Sequence, residues 1–230
     1  MSARVRKARR IALGAGLLGS LVGAPPARAQ DGACAAELAA RVQRRYEGVR
    51  DLRGRFEQRT ERASLGAAPS GALEARGEAL FAKPGKMRWV YEAPEPGLVV
   101  SDGETLWIHD ERAREVQRLP FGPGQLSAAG VQFLLGEGKL TEEFSVRAKA
   151  CGEPTVVLEL SPKRDAQYER IDLHVDAASA KVRETTVVDL FGNRTNVRFD
   201  ELRENTGPDP KLFRYEAADG IRVIDVAPAP

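Results

Sequence analysis

Side chains able to do chemistry are sparse and widely separated in this chain. Ser101, Asp102 and His109 lie close together and offer the hydroxyl, carboxylate and imidazole of a nucleophilic triad. No Gly-x-Ser-x-Gly elbow surrounds the serine, and a tight turn at Asp102-Gly103 explains the first two residues more simply, so catalysis is not expected. Glu142-Glu143 and Asp200-Glu201 are adjacent carboxylates. On strands such neighbours point to opposite faces, so each is expected to be solvated or matched by an arginine across the sheet. Two cysteines, Cys34 and Cys151, and two histidines, His109 and His174, lack the close spacing of zinc frameworks, and no metal or other cofactor is expected. In an oxidising compartment the economical use of Cys34 and Cys151 is one disulfide that pins the first helix to the sheet. Two unpaired thiols are the alternative, since sequence does not show whether the pair comes within reach.

The elements that must position these groups begin with a leader. Arg4, Arg6, Lys7, Arg9 and Arg10 form a basic start, Ile11 to Val22 an apolar run, and Ala27-Arg28-Ala29 an A-x-A cleavage site, which together describe a secretory signal peptide over residues 1–29. The mature protein is then expected to be a soluble periplasmic domain over residues 30–230. The leader's apolar run is shorter than the roughly 20 residues a membrane-spanning helix needs. Lipidation at Cys34 is the alternative, although Asp31 and Gly32 fit a lipobox poorly. The whole chain carries a formal charge of +2, but the leader holds six basic and no acidic residues, which leaves −4 after cleavage. A mildly acidic chain with mixed charges lacks the basic stripe of a nucleic-acid binder, and Arg41, Arg44 and Arg45 read as a solvated helix face.

No proline- or serine-rich linker divides the mature chain, so one domain is expected. Leu38, Val42 and Tyr46 recur at i, i+4 and i+8 and give an amphipathic first helix between Asp31 and Gly48. Strands follow wherever apolar residues alternate: around Leu52 to Phe56, Leu73 to Ala82, Met87 to Tyr91, Leu98 to Ser101, Glu104 to His109 and Arg114 to Leu119. Arg62 to Gly71 reads as a connection. Pro123, the run Gln125 to Leu135 and Gly136 describe a second, apolar helix. Strands then return from Leu140 onward, through Val156 to Leu160, Ile171 to Val175, Thr186 to Val188 and Val197 to Phe199, with Gly192-Asn193 as a turn and a last strand at Ile221 to Val226. Short strands with just two helices indicate an antiparallel sheet curled toward a barrel, whose interior is either packed core or a ligand cavity.

Several motifs in order, Asp51-Leu52-x-Gly-x-Phe56-x-Gln58, the Lys83 to Pro94 block KPGKMRWVYEAP, the Val100 to Asp110 hairpin VSDGETLWIHD, Phe133-Leu134-Leu135-Gly136, and Val187-Val188-Asp189-x-Phe191-Gly192-Asn193, resemble the periplasmic outer-membrane lipoprotein carrier family, LolA. The resemblance implies a mainly β fold, an unclosed antiparallel barrel of about eleven strands with an α-helical lid over a hydrophobic cavity. It also implies a chaperone that takes acylated lipoproteins from an inner-membrane ABC transporter and hands them to an outer-membrane receptor. The alternative of the same fold is a lipid- or lipoprotein-sensing regulatory module. Such modules usually carry a further C-terminal domain, and a chain that stops at Pro230 favours the carrier.

Within that resemblance, Leu52, Phe56, Met87, Trp89, Tyr91 and Trp107 are the expected cavity residues on the sheet, and Leu126, Phe133 and Leu134 those of the lid. Met87 has a second reading, exposed and docking the transporter. Ordinary core is the plain alternative for all of them. In the family an arginine directly before the KPGK-like proline hydrogen-bonds the lid. Here Lys83 holds that place, and an ammonium lacks the planar fork of five donors, so a multi-bond latch is weakened or replaced.

Overall fold

The computed structural model describes residues 27–63, 72–121, 139–166 and 168–226, with side chains from residue 32 onward. Helix α1 (Ala27–Glu47) opens it, so the expected cleavage point before Gln30 falls in its first turn. The helical period holds: Leu38, Val42 and Tyr46 are all buried, while Glu37 and Arg44 face solvent.

Twelve strands among the described residues make a single sheet that does not close. In chain order they are β1 (Asp51–Glu61), β2 (Leu73–Ala82), β3 (Lys86–Ala93), β4 (Gly97–Asp102), β5 (Thr105–Asp110), β6 (Glu115–Pro120), β7 (Phe144–Lys149), β8 (Thr155–Pro162), β9 (Tyr168–Asp176), β10 (Val182–Asp189), β11 (Arg194–Glu204) and β12 (Arg222–Asp225). Between β6 and β7 a single helical turn, α2 (Leu140–Glu143), replaces the strand expected from Leu140, so Glu142 and Glu143 are neighbours on a helix. Spatially the order is β12-β6-β5-β4-β3-β2-β1-β11-β10-β9-β8-β7. Two meanders, β2 to β6 and β7 to β11, therefore meet through β1, which pairs with β2 on one side and β11 on the other.

The expected count of about eleven becomes twelve, and one junction is not antiparallel: β12 runs parallel to β6, with Val223 opposite Val116. The β4–β5 connection also differs from expectation. Ser101 pairs with Leu106, so four residues form the loop, and only Gly103 takes a positive φ, +102°, whereas a type I′ turn needs two. Its closure comes from side chains. The Asp102 carboxylate accepts from the backbone N–H of Glu104 and Thr105 at 2.9 and 2.8 Å, and Ser101 Oγ accepts from Gly103 N–H at 3.0 Å.

Cross-strand pairs share a face, so the register sorts every side chain. One face, here the inner face, joins α1 in a continuous core: Leu52 and Phe56 of β1, Ala79 and Phe81 of β2, Met87 and Trp89 of β3, Leu106 of β5, Phe144 of β7, Leu158, Leu160, Ile171 and Leu173 of β8 and β9, and Val197 and Phe199 of β11. On the outer face the segment after β11 crosses the sheet. Its anchor is Asp51, whose carboxylate accepts from Thr206 N–H (2.6 Å), Thr206 Oγ–H (2.7 Å) and Gly207 N–H (3.1 Å). A 3-10 turn (Pro210–Phe213) then buries Phe213 against β3 and β4, and Arg88 donates to the Leu212 carbonyl at 3.1 Å.

Helix α1 is fastened along its length. Cys34 is bonded to Cys151 in the β7–β8 turn. Arg41 donates to the Ala178 carbonyl at 2.7 Å, Arg45 pairs with Glu204, and the buried Tyr46 hydroxyl accepts from Val182 N–H at 3.1 Å. Arg41 and Arg45 are thus tethers to the β9–β10 turn and β11, and only Arg44 fits the solvated face expected of all three. The expected helix at Gln125–Leu135 and much of the Arg62–Gly71 connection lie outside the described residues.

Candidate functional site

Strand β3 supplies the centre of the site because its register aligns Met87, Trp89 and Tyr91 on the inner face and Arg88, Val90 and Glu92 on the outer. Met87 is fully buried, so it is not the exposed docking residue of the second reading. Trp89 packs edge-on against Phe56 (ring centroids 4.8 Å apart, planes at 76°) and Phe81 (5.2 Å, 86°), and Phe199 lies 6.1 Å away. Phe81 and Phe199 complete the group at 6.3 Å. Such edge-to-face contacts match positive ring edges to negative faces and add about 0.5–1.5 kcal/mol per pair beyond area burial.

Tyr91 extends this aromatic floor, 5.2 Å from Phe56. Gly77 makes the approach possible: it pairs with Tyr91 beside a register shift in β2, and a Cβ there would sit 1.8 Å from the Val90 carbonyl oxygen and 3.1 Å from the Phe56 ring. The phenol, pushed above the usual tyrosine range by burial, donates to Gln58 Oε1 at 3.3 Å, and Gln58 Nε2 in turn donates to Thr60 Oγ at 3.4 Å. In the sequence Gln58 closes the Asp51–Gln58 motif without a role of its own. Its position two residues beyond Phe56 on an alternating strand was the available signal.

Leu52, Phe56, Met87, Trp89 and Tyr91 thus share one face, as expected. Trp107 does not. It pairs with Val100, which pairs with Arg88, and so belongs to the outer face. Lid candidates Leu126, Phe133 and Leu134 lie outside the described residues. Ser101 and His109 are likewise separated: Ser101 is buried on the inner face, whereas His109 is on the outer face, its ring 5.5 Å from Tyr215, and Asp102 is committed to its turn.

Lys83 stands at the β2–β3 turn and reaches the last turn of α1. Its Nζ donates to the Tyr46 carbonyl at 2.7 Å and, more distantly, to the Glu47 carbonyl at 3.4 Å. The Tyr46 carbonyl otherwise accepts only from Val49 N–H just past the helix end, at 3.2 Å, and both carbonyls carry the negative end of the helix dipole, so a cation suits them. Burial holds the lysine below its usual range, and the Glu47 carboxylate offsets this only in part. Among the described residues the partner is the last turn of α1; the Gln125–Leu135 helix expected to form the lid lies outside them.

The family model described as outer membrane lipoprotein carrier protein LolA matches residues 47–216. The chain belongs to the LolA family. Outer-membrane lipoprotein carrier protein of Cupriavidus taiwanensis is 32% identical over 178 residues, which cover 77% of this chain and 82% of the relative. The Pseudomonas aeruginosa protein of the same name is 29% identical over 210 residues, covering 88% and 93%. Among solved structures, a LolA superfamily protein from Nitrosomonas europaea aligns with 79% of this chain and 97% of its own at 12% identity and a TM-score of 0.45. The LolA match takes in β1 to β11, the 3-10 turn and Lys83. Cys34 and most of α1 fall before it. No described helix is long and apolar enough to cross a membrane.

Proposed function

We propose that this LolA-family chain is a periplasmic chaperone that shields the acyl chains of lipoproteins on its inner face. It would receive them from an inner-membrane ABC transporter and deliver them to an outer-membrane receptor. The observation that carries this reading is the aromatic cluster of Phe56, Phe81, Trp89 and Phe199 with Leu52 and Met87, buried together on the inner face, which acyl chains would reach as the elements packed on it move aside. Each methylene taken from water contributes about 0.8 kcal/mol, so acyl chains exposed in the periplasm would aggregate or return to a membrane. A carrier must therefore offer a large apolar surface and also a way to give the cargo up.

Release calls for a weak fastening beside a strong one. A covalent bond at Cys34 and a lysine hydrogen bond at the last turn supply that contrast on α1. In this reading Lys83 is the latch and α1 the element it holds.

The test is release of a lipoprotein from inner-membrane spheroplasts by the purified mature chain, followed by incubation with outer membranes and mass spectrometry of what each fraction holds. Wild type is expected to load acylated protein and pass it on. Trp89→Glu places a charge on the apolar floor and should cut loading at least tenfold, with Trp89→Phe retaining it and circular dichroism establishing that both fold. Normal loading by folded Trp89→Glu would refute this placement of the acyl chains.

A further inference from the structure

Polarity changes along the inner face of β1 in a graded way. Leu52 and Phe56 are buried and apolar, whereas Gln58 and Thr60, the next two inner positions, are polar and partly exposed. Their cross-strand neighbours are Ala75 and Val197 for Gln58, and Leu73 and Thr195 for Thr60. Nothing about packing on a sheet requires a glutamine between a buried phenylalanine and a threonine. Tyr91 brings a third polar group to the same place, its ring on the apolar floor and its hydroxyl on Gln58.

The bonds within this group are long. The Tyr91 bond at 3.3 Å lies beyond the roughly 2.5–3.0 Å usual for O–H···O and the Gln58 bond at 3.4 Å beyond the roughly 2.7–3.2 Å usual for N–H···O, so exchanging them for another acceptor costs little. The donors run in one direction, from Tyr91 to Gln58 to Thr60, which leaves the Thr60 hydroxyl proton and the second Gln58 amide proton without an acceptor among the described residues. A tyrosine phenol is neutral at physiological pH and burial raises it further, so it remains a donor there. The track is thus rich in donors, next to an apolar floor, and suited to a ligand whose hydrocarbon ends in carbonyl oxygens.

We propose that Tyr91, Gln58 and Thr60 form a subsite for the ester and amide carbonyls through which acyl chains join the N-terminal residue of a lipoprotein. This inference rests on the carrier reading above and adds to it a depth gauge. Hydrocarbon lies against Phe56 and Trp89, and the linkage stops where the donors begin. A lipid with chains of the same length but no carbonyls would then be a poorer ligand.

The experiment uses the mature chain with its disulfide intact and two synthetic lipopeptides of identical peptide and chain length. One carries two palmitoyl esters on S-glyceryl cysteine and the other carries two hexadecyl ethers. Competition against a fluorescent acyl probe gives the affinity ratio. Wild type is expected to prefer the ester by about fivefold or more, the value of one or two net hydrogen bonds. The double variant Gln58→Leu, Tyr91→Phe should bring that ratio to about one. An ester-to-ether ratio near one in wild type, or an unchanged ratio in the variant, overturns the subsite while leaving the carrier reading in place. Failure of wild type to bind either lipopeptide overturns both.

Discussion

At the scale of the residue, Lys83 shows how a single side chain can set the strength of a contact. Its hydrogen bond to the Tyr46 carbonyl is charge-assisted, worth about 1.5–3 kcal/mol, and partial burial of the ammonium subtracts from that, so the net is roughly 1 kcal/mol. Lys83→Met should lower stability by about this amount in denaturant unfolding and should raise hydrogen exchange in the last turn of α1 selectively. Lys83→Arg, with more donors, should leave that turn as protected as in wild type or more so. Equal exchange in all three proteins would show that the bond does not hold the helix. Trp107 teaches a different lesson at this scale. The resemblance groups it with Trp89, but an even loop, of two residues or four, sends odd positions of β5 to the face opposite the odd positions of β4. Parity on its own is enough to place Trp107 on the face of Leu98 and Val100, and the four-residue loop then sets it opposite Val100.

Elements were legible where their periodicity was strong and illegible where tertiary contacts set them. Alternation marked every strand of the two meanders, and the i, i+4 pattern marked α1, because burying one face of each is what the fold consists of. The expected strand at Leu140 turned into α2 because Lys139, with Glu142 and Glu143, closes a helical turn there, with backbone N–H groups at 142 and 143 both donating to the Lys139 carbonyl. Strand β12 was visible as an extended run, yet its parallel seat beside β6 was not, since that depends on Phe213 and Asp51 guiding the segment across the outer face. Two ion pairs, Arg118 with Asp225 and Arg222 with Glu115, hold it there. The hydrogen bond from Arg118 holds the Asp225 carboxyl below its usual range. A depressed carboxyl contributes stability that is fully present above its unfolded value, about 3.9, and is lost as the pH falls through the folded one. β12 is therefore expected to loosen from β6 only in acid below about pH 4, seen as loss of the Ile224 amide shift in an NMR titration. Asp225→Asn should show the loosened state at neutral pH, and a wild-type transition centred above pH 4 would contradict this assignment.

For the whole molecule, the disulfide closes a loop between positions 117 residues apart. In the chain-entropy account a loop of that size destabilises the unfolded state by about 5 kcal/mol. Cys34→Ser with Cys151→Ser should lower the unfolding free energy by up to that value in guanidinium titration, while the native sheet persists by circular dichroism. A change under about 1 kcal/mol would remove the disulfide from any account of global stability. The same bond bears on how the sheet is assembled. Both meanders are built from neighbouring hairpins, but the seam between β1 and β11 joins Phe56 to Phe199, 143 positions later in the chain. Until that seam closes, two strand edges and the aromatic floor face water, which is where misassembly and aggregation begin. Non-local pairings of this kind are the slow step of β folding. An oxidised chain has a shortcut, from Phe56 back to Cys34, across the sulfur bridge to Cys151, and on to Phe199, which halves the separation to about 70 residues. Forming the bridge early thus brings the two halves of the sheet together sooner and shortens the time the unshielded aromatic surface spends in solution.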